Sequence, residues 1–331
     1  MTATDKMTAI ILSENGPQLQ QVALPEPRAN DLLVEVHACG LNRADLIVAS
    51  GHRHGAMGGA GTPLGMEWSG QVVACGSDVQ GFAVGDRVMC SGAGGWADYA
   101  LADWRRCHPI SDANMSYRAA ASLPIALNTM HDAIVSNGGL EDGESILIQG
   151  ASSGVGIMAL QIAREMGAGL VIGSSTDAGR REKLKDVGAD LVIDSRAPDW
   201  VDTVLSATDG NGVDLIIDQI SGYAANQNMA ATAIKGRIVN VGRLGGMRGE
   251  FDFDLHALRR IRYVGVTFRT RSIEEVHEIS RRARADLWPA LEAGRLKMPL
   301  DQDFALADVR AALAHMADNR HFGKITLQVR G

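Results

Sequence analysis

Apolar and polar positions change rhythm twice along the chain. Through the first 110 residues or so, short apolar runs alternate with glycine and proline. The stretches 8–12, 31–38, 71–74 and 87–89 read as strands, with Pro25-Glu-Pro27 as a break. Around Ser111 the grammar shifts. Ser116 suits an N-cap, and 117–135 is helix-compatible apart from Pro124. From Ser145 onward apolar runs at 145–149, 170–174, 191–193, 213–218 and 237–241 alternate with helical stretches, two of which end at Gly167 and Gly188. This alternation predicts an α/β fold with a doubly wound parallel sheet, right-handed crossovers and a ligand crevice at the strand C-terminal ends. A strand over 262–268 is expected to close that sheet at one edge. A helix over 272–293 stops at Gly294, another covers 306–319, and a last strand over 325–329 is expected to pack back on the first domain.

The run Gly150-Ala-Ser-Ser-Gly154-Val-Gly156 follows the first of these later strands. After it, Val155, Met158, Ala159, Ile162 and Met166 mark one face of a helix with a period of about 3.6 residues. Strand, glycine turn and helix start together make a phosphate site, because the backbone turns tightly and the helix N-terminus offers unpaired N–H groups. Ser153, Gly154 and Val155 are the cofactor-binding candidates there. The second strand of such a fold ends in an acid when the ribose diol of NADH is bound. Here it ends Gly173-Ser174-Ser175-Thr176, with Arg180 and Arg181 on the next helix and Asp177 nearby. Hydroxyls with arginine suit a 2′-phosphate, so Ser175 and Arg180 point to NADPH.

Composition narrows the picture without naming a chemistry. The 331 residues allow two domains, and 46% hydrophobic with 21% charged residues is ordinary for a globular protein. A net charge of −7 gives no basic surface for nucleic acid or anionic membrane. The opening residues lack the form of a signal peptide, and no apolar run reaches a membrane span. Cys39, Cys75, Cys90 and Cys107 are scattered, which argues against a zinc cluster or a disulfide framework and for a reducing, cytoplasmic setting. There is no repeat, only a glycine cluster at 55–61.

The glycine spacing is literally that of short-chain dehydrogenases, which need a Tyr followed four residues later by Lys. Tyr99, Tyr117, Tyr223 and Tyr263 are followed at that distance by Asp103, Ala121, Gln227 and Thr267, which excludes the family. The wider set of motifs resembles another. Gly40-Leu-Asn42-Arg-Ala-Asp45-Leu, Pro63-Leu-Gly-Met-Glu67-Trp-Ser-Gly70, Val84-Gly-Asp-Arg-Val88, Gly94-Gly-Trp-Ala-Asp-Tyr99 and Gly323-Lys324-Ile325 are similar to motifs of the medium-chain dehydrogenase/reductase superfamily, in its zinc-free quinone oxidoreductase branch. The resemblance covers nearly the whole chain. It implies a GroES-like β-rich domain over 1–118, with the C-terminal return 271–331, and a Rossmann domain over 119–270 that holds NADPH.

The resemblance also assigns positions. Zinc-dependent relatives carry metal ligands where this chain has Asn42 and Met66, with a third near Ile125, and the four-cysteine lobe is missing. No metal is therefore expected. Asn42 and Thr129 are implied to face the cofactor, Asn42 also the substrate. Val241 and Gly242, in Asn240-Val241-Gly242-Arg-Leu-Gly245-Gly246, are implied to take the nicotinamide amide, with Phe268 and Arg269 close by. Arg53 stands where the branch often has tyrosine, which hints at an anionic or oxygen-rich acceptor and leaves the catalytic proton donor unassigned. His37 and His131 read as structural, and His52 and His54 as loop residues. The stretch 262–268 resembles an edge strand that pairs across a dimer axis, so a homodimer is expected. The activity implied is hydride transfer from NADPH to a quinone-type small-molecule acceptor. Reduction of an activated C=C bond in an enone or enoyl compound is the second reading, and a non-catalytic NADPH-binding sensor or structural protein a third.

Overall fold

The computed structural model describes residues 6–55, 57–59, 61–110 and 114–330. The opening residues 1–5, Ser111 and two positions of the 55–61 glycine cluster lie outside the described residues. In chain order the N-terminal part contains β1 (Lys6–Ser13), β2 (Gly16–Ala23), β3 (Asp31–Gly40), α1 (Arg43–Ala49), β4 (Glu67–Cys75), β5 (Arg87–Ser91), β6 (Tyr99–Asp103), β7 (Cys107–Pro109) and α2 (Tyr117–Ala120). The middle part begins with α3 (Pro124–His131), β8 (Ser145–Ile148), α4 (Gly154–Glu165), β9 (Leu170–Ser174), α5 (Ala178–Lys185) and β10 (Leu191–Ile193). It continues through α6 (Trp200–Ala207), β11 (Val213–Asp218), α7 (Ala225–Ala231), β12 (Thr232–Asn240), α8 (Phe253–Arg259) and β13 (Arg262–Gly265). The chain ends with α9 (Ile273–Glu292), β14 (Leu300–Ala305), α10 (Val309–Ala317) and β15 (Lys324–Gln328).

The expected helix over 117–135 is broken. Proline suits the first turn of a helix, where its missing N–H costs nothing. Pro124 therefore opens α3 instead of continuing α2, and after His131 the coil widens to a π-helical turn over Asp132–Asn137. The edge strand expected at 262–268 ends at Gly265.

Two compact units result. One comprises Met1–Ile125, Phe268–Ala285 and Met298–Gly331, the other Ala126–Thr267 and Asp286–Lys297. Compared with the boundaries read from the sequence, 119–125 and 268–270 go to the first unit and 286–297 to the second. The physical reason for the last shift lies in three side-chain ties. His131 Nε2 is 2.6 Å from Asp286 Oδ2, Gln161 exchanges two 2.8 Å hydrogen bonds with the Lys297 backbone, and Arg295 pairs with Glu165. The second half of α9 is thereby fastened to α3, and the segment that follows it to α4.

In the second unit the strands lie in the order β10-β9-β8-β11-β12-β13, all parallel. Counted within the sheet this is 3-2-1-4-5-6, the Rossmann order, whose direction reverses between β8 and β11. Its core packs Leu147, Ile172, Val213, Ile216 and Ile238 around Trp200. In the first unit β14-β15-β3-β4-β5-β7 form a sheet, with β6 on β3, and β1 and β2 form a hairpin. Trp68 and Trp96 anchor its core. The last strand returns as expected: β15 runs antiparallel to β3, with Thr326 opposite Gly40.

Helix α1 was not legible in the pattern, and its start carries a buried acid. The Asp45 carboxylate accepts the Asn42 N–H at 2.7 Å, which caps the first turn, yet Asp45 is only 2% exposed. Burial first, and then the charge of Glu67, push its pKa up to about 7, against the opposing backbone bond from Asn42 and the charge of Lys324. In the unfolded chain this acid ionises near 3.8. Between those values the folded state holds a proton that the unfolded state has lost, so the contribution of Asp45 to stability is full at low pH and disappears as pH rises through about 7. Asp45→Asn keeps an acceptor for the cap and removes the titration. The stability difference between wild type and variant, measured by urea unfolding, is expected to change steadily from about pH 4.5 to 7 and to level off above. Parallel profiles would show that Asp45 does not titrate there.

Candidate functional site

Apart from Thr129, the predicted cofactor residues of the second unit lie in the segments that follow the C-terminal ends of its strands. Gly150 turns with φ +71°, and a Cβ on Gly156 would lie 2.6 Å from the Gly150 carbonyl oxygen, so the tight approach of turn to helix requires glycine there. Ser153 is the N-cap of α4, its hydroxyl accepting the Gly156 N–H at 3.0 Å. The N–H groups of Gly154 and Val155, in the same first turn, have no intrahelical acceptor by helix geometry. Residues 152–155 form a partly exposed rim in an otherwise buried segment. Donors, dipole and access together fit a diphosphate.

Beyond β9, Ser175 Oγ lies 3.0 Å from Ser152 Oγ, which ties the two loops. The two arginines of α5 differ. Arg181 is engaged by the Ser175 carbonyl at 2.7 Å and Asp194 at 3.0 Å. Among the described residues the Arg180 guanidinium has only a long contact to Asp177, 3.8 Å. Asp177, for its part, caps α5 by accepting the Arg180 N–H at 2.7 Å.

Past β12, Val241 and Gly242 both donate their N–H groups to the Asp218 carbonyl, at 2.8 and 3.1 Å. A Cβ on Gly242 would sit 2.6 Å from the Gln219 carbonyl oxygen, so this loop and the one after β11 nest through glycine. Ser221 joins them. Its hydroxyl donates to the Gly242 carbonyl at 2.7 Å and is touched by the Asn240 amide. Its backbone, at φ 57° and ψ −153°, occupies a region that belongs to glycine. Strain of that kind is retained only where the surroundings enforce it. Gln219 Oε1 also meets Ser153 Oγ at 2.9 Å, which connects this loop to the glycine turn. Sequence reasoning missed Gln219 and Ser221; the only hint was a non-glycine residue before Gly222 in a strand-end loop. Thr129 is on α3, the one partly exposed residue among the buried positions 126–131.

Asn42, Arg53, Phe268 and Arg269 fall in the first unit. Arg53 is exposed on the loop after α1. Arg269 lies against the same loop: a Cβ on Gly55 would be 3.1 Å from its Cα. Partial burial, then the Arg269 charge, hold the His54 imidazole below its ordinary pKa. His37 stacks on Tyr117 at 4.1 Å, in keeping with a structural role.

Asn42 belongs to a buried polar cluster. Its Nδ2 donates to Glu67 Oε1 at 3.0 Å, and its Oδ1 accepts from Lys324 Nζ at 2.8 Å. Lys324 and Glu67 also form an ion pair, with side chains 4% and 0% exposed. The second Glu67 oxygen accepts the Ile125 N–H at 3.0 Å. Glu67 and Lys324 were visible as parts of motifs but not as site residues; the available signal was a charge inside an apolar strand, which demands a partner. This cluster does not suit zinc. Asn42 and Met66 stand at the expected ligand positions, neither is a ligand that zinc favours, and a lysine ammonium occupies the adjoining space.

Comparison with known proteins agrees with this geometry. Residues 28–112 match the family model described as the alcohol dehydrogenase GroES-like domain, and 154–283 the one described as zinc-binding dehydrogenase. Human quinone oxidoreductase is 28% identical over 318 residues, 94% of each chain. The low-reducing polyketide synthase drtA of Aspergillus calidoustus is 29% identical over 92% of this chain, which spans only 13% of that synthase. The structure of CurK enoyl reductase superposes with a TM-score of 0.85 at 25% identity, covering 98% of this chain and all of the other. No helix among the described residues is long and apolar enough to cross a membrane. Two domain matches that cover both units, the Rossmann strand order and the β-rich N-terminal sheet lead to one conclusion: this chain is an oxidoreductase of the medium-chain dehydrogenase/reductase superfamily, and within it resembles the quinone oxidoreductases.

Proposed function

We propose that this chain is an NADPH-dependent reductase that delivers hydride to a quinone-type acceptor without a metal. The choice of NADPH rests on one observation at the end of β9. The nearest acid, Asp177, is occupied as the cap of α5, while the lightly engaged Arg180 remains for a 2′-phosphate. The quinone is supported by the likeness to human quinone oxidoreductase across both chains. Reduction of an activated C=C bond is the second reading, supported by the likeness to an enoyl reductase.

A bound nicotinamide would supply the hydride. The chain's own residues have the other tasks. The α4 N-terminus holds the diphosphate, Val241 and Gly242 orient the carboxamide of the ring, and Asn42 donates a hydrogen bond to the acceptor oxygen. Arg53 attracts acceptors with negative or oxygen-rich substituents. The chain has no tyrosine at position 53 to act as a proton donor, so the final proton is assigned to water.

Two measurements test the proposal. Consumption of NADPH is expected with 1,4-naphthoquinone and, more slowly, with an enone; loss with the enone alone favours the second reading, and loss with neither favours a cofactor-binding sensor. Replacing Arg180 by Ala is expected to weaken NADPH binding by about 2 kcal/mol, the worth of a charge-assisted contact to phosphate, and to leave NADH almost unchanged. Equal weakening of both cofactors would remove Arg180 from the phosphate site.

A further inference from the structure

We infer that Glu67 and Lys324 are positioning residues that fix the polarity of the Asn42 carboxamide, so that its free N–H is presented to the oxygen of the acceptor. The inference rests on the reductase reading above and names the device behind it. A primary amide has two N–H donors and one carbonyl oxygen. One Asn42 N–H goes to Glu67 Oε1, and the oxygen takes Lys324 Nζ. The second N–H remains, on a side chain that is partly exposed.

Turning the amide over would set its oxygen against the Glu67 carboxylate and its N–H groups against the Lys324 ammonium. Both contacts would be repulsive, and both sit where little water can screen them: the two charged side chains are 0% and 4% exposed. The carboxamide therefore has a single favourable orientation. A cation on the amide oxygen also draws electrons from the nitrogen, which strengthens the remaining N–H as a donor. The ion pair itself is held from outside the cluster. Glu67 Oε2 is occupied by the Ile125 N–H, and a Cβ on Gly40 would come 2.5 Å from Glu67 Oε1, so a larger residue there would displace the acid. The Leu41 N–H donates to the Ile325 carbonyl at 3.0 Å, which fixes the register that delivers Lys324.

The test compares the wild type with Asn42→Ala and with the double variant Glu67→Gln/Lys324→Met. The double variant removes both charges together, because deleting one partner of a buried pair risks unfolding. Turnover of NADPH with 1,4-naphthoquinone and with trans-4-phenylbut-3-en-2-one is expected to fall by roughly 100-fold in Asn42→Ala, the usual loss for one oriented donor, and by a similar factor in the double variant. NADPH affinity is expected to stay constant in the double variant, which keeps Asn42. Infrared difference spectra of the ¹³C=O-labelled ketone, bound with NADP⁺, supply a readout that a purely structural role would not move. The carbonyl band is expected at lower frequency in the wild type than in either variant. A carbonyl band in the wild type at the frequency of the ketone in an apolar solvent overturns the inference whether or not the variants fold. So does a double variant that folds, binds NADPH and keeps wild-type turnover. Failure of the wild type to reduce either acceptor would instead overturn the reductase reading itself.

Discussion

A lysine ammonium and a glutamate carboxylate, both stripped of water, set the conditions for the polar cluster of the first unit. Taking two charges out of solvent costs several kcal/mol per ion, and their attraction offsets that cost only when every remaining lone pair and proton finds a partner. Glu67 and Lys324 meet this demand with Asn42 and the Ile125 backbone. Much follows locally. Gly40 must lack a side chain so that Glu67 fits. Gly323, at φ +88°, must turn the chain against the Pro299 carbonyl before Lys324 enters the sheet. Strand β15 must come back to β3 in one register. Three of the motifs in the first unit, 40–46, 63–70 and 323–325, thus meet at a single desolvated pair.

The second unit solves a different problem, that of leaving backbone groups available. Its central strands are buried on both faces, and the donors proposed for the cofactor lie where strands end and helices begin. Glycine at 150, 156 and 242 lets these ends approach each other, at distances a Cβ would forbid. Ser221 departs from this pattern, accepting a glycine-like backbone while its hydroxyl clamps the loop after β12. Local strain is exchanged for order at the place proposed to hold the nicotinamide.

Charge placement separates the two arginines of α5 in a way that spacing never would. Both follow the end of β9, yet Arg181 is drawn to Asp194 and the Ser175 carbonyl. Arg180 keeps only a long contact with an acid already engaged in capping. The proposed preference for NADPH thus turns on which acid is left over after the helix has been capped, a question of hydrogen-bond accounting more than of composition.

The strands of the second unit were readable because parallel strands covered on both faces must be continuous apolar runs, and its helices because Gly167 and Gly188, at φ +86° and +112°, end them. The glycine turn announced itself for the same local reason. Strands β2 and β14 escaped notice, being largely exposed and so lacking an apolar run, and helix α1 is too short to show a period. The division of α9 was also hidden, since it depends on Asp286 meeting His131, far away in the chain. Asn42 could be singled out from its motif, but the direction its amide faces is decided by Lys324, 282 residues later. Patterns along a chain record what each segment must bury; how a polar atom is aimed depends on partners that only folding brings within hydrogen-bond reach.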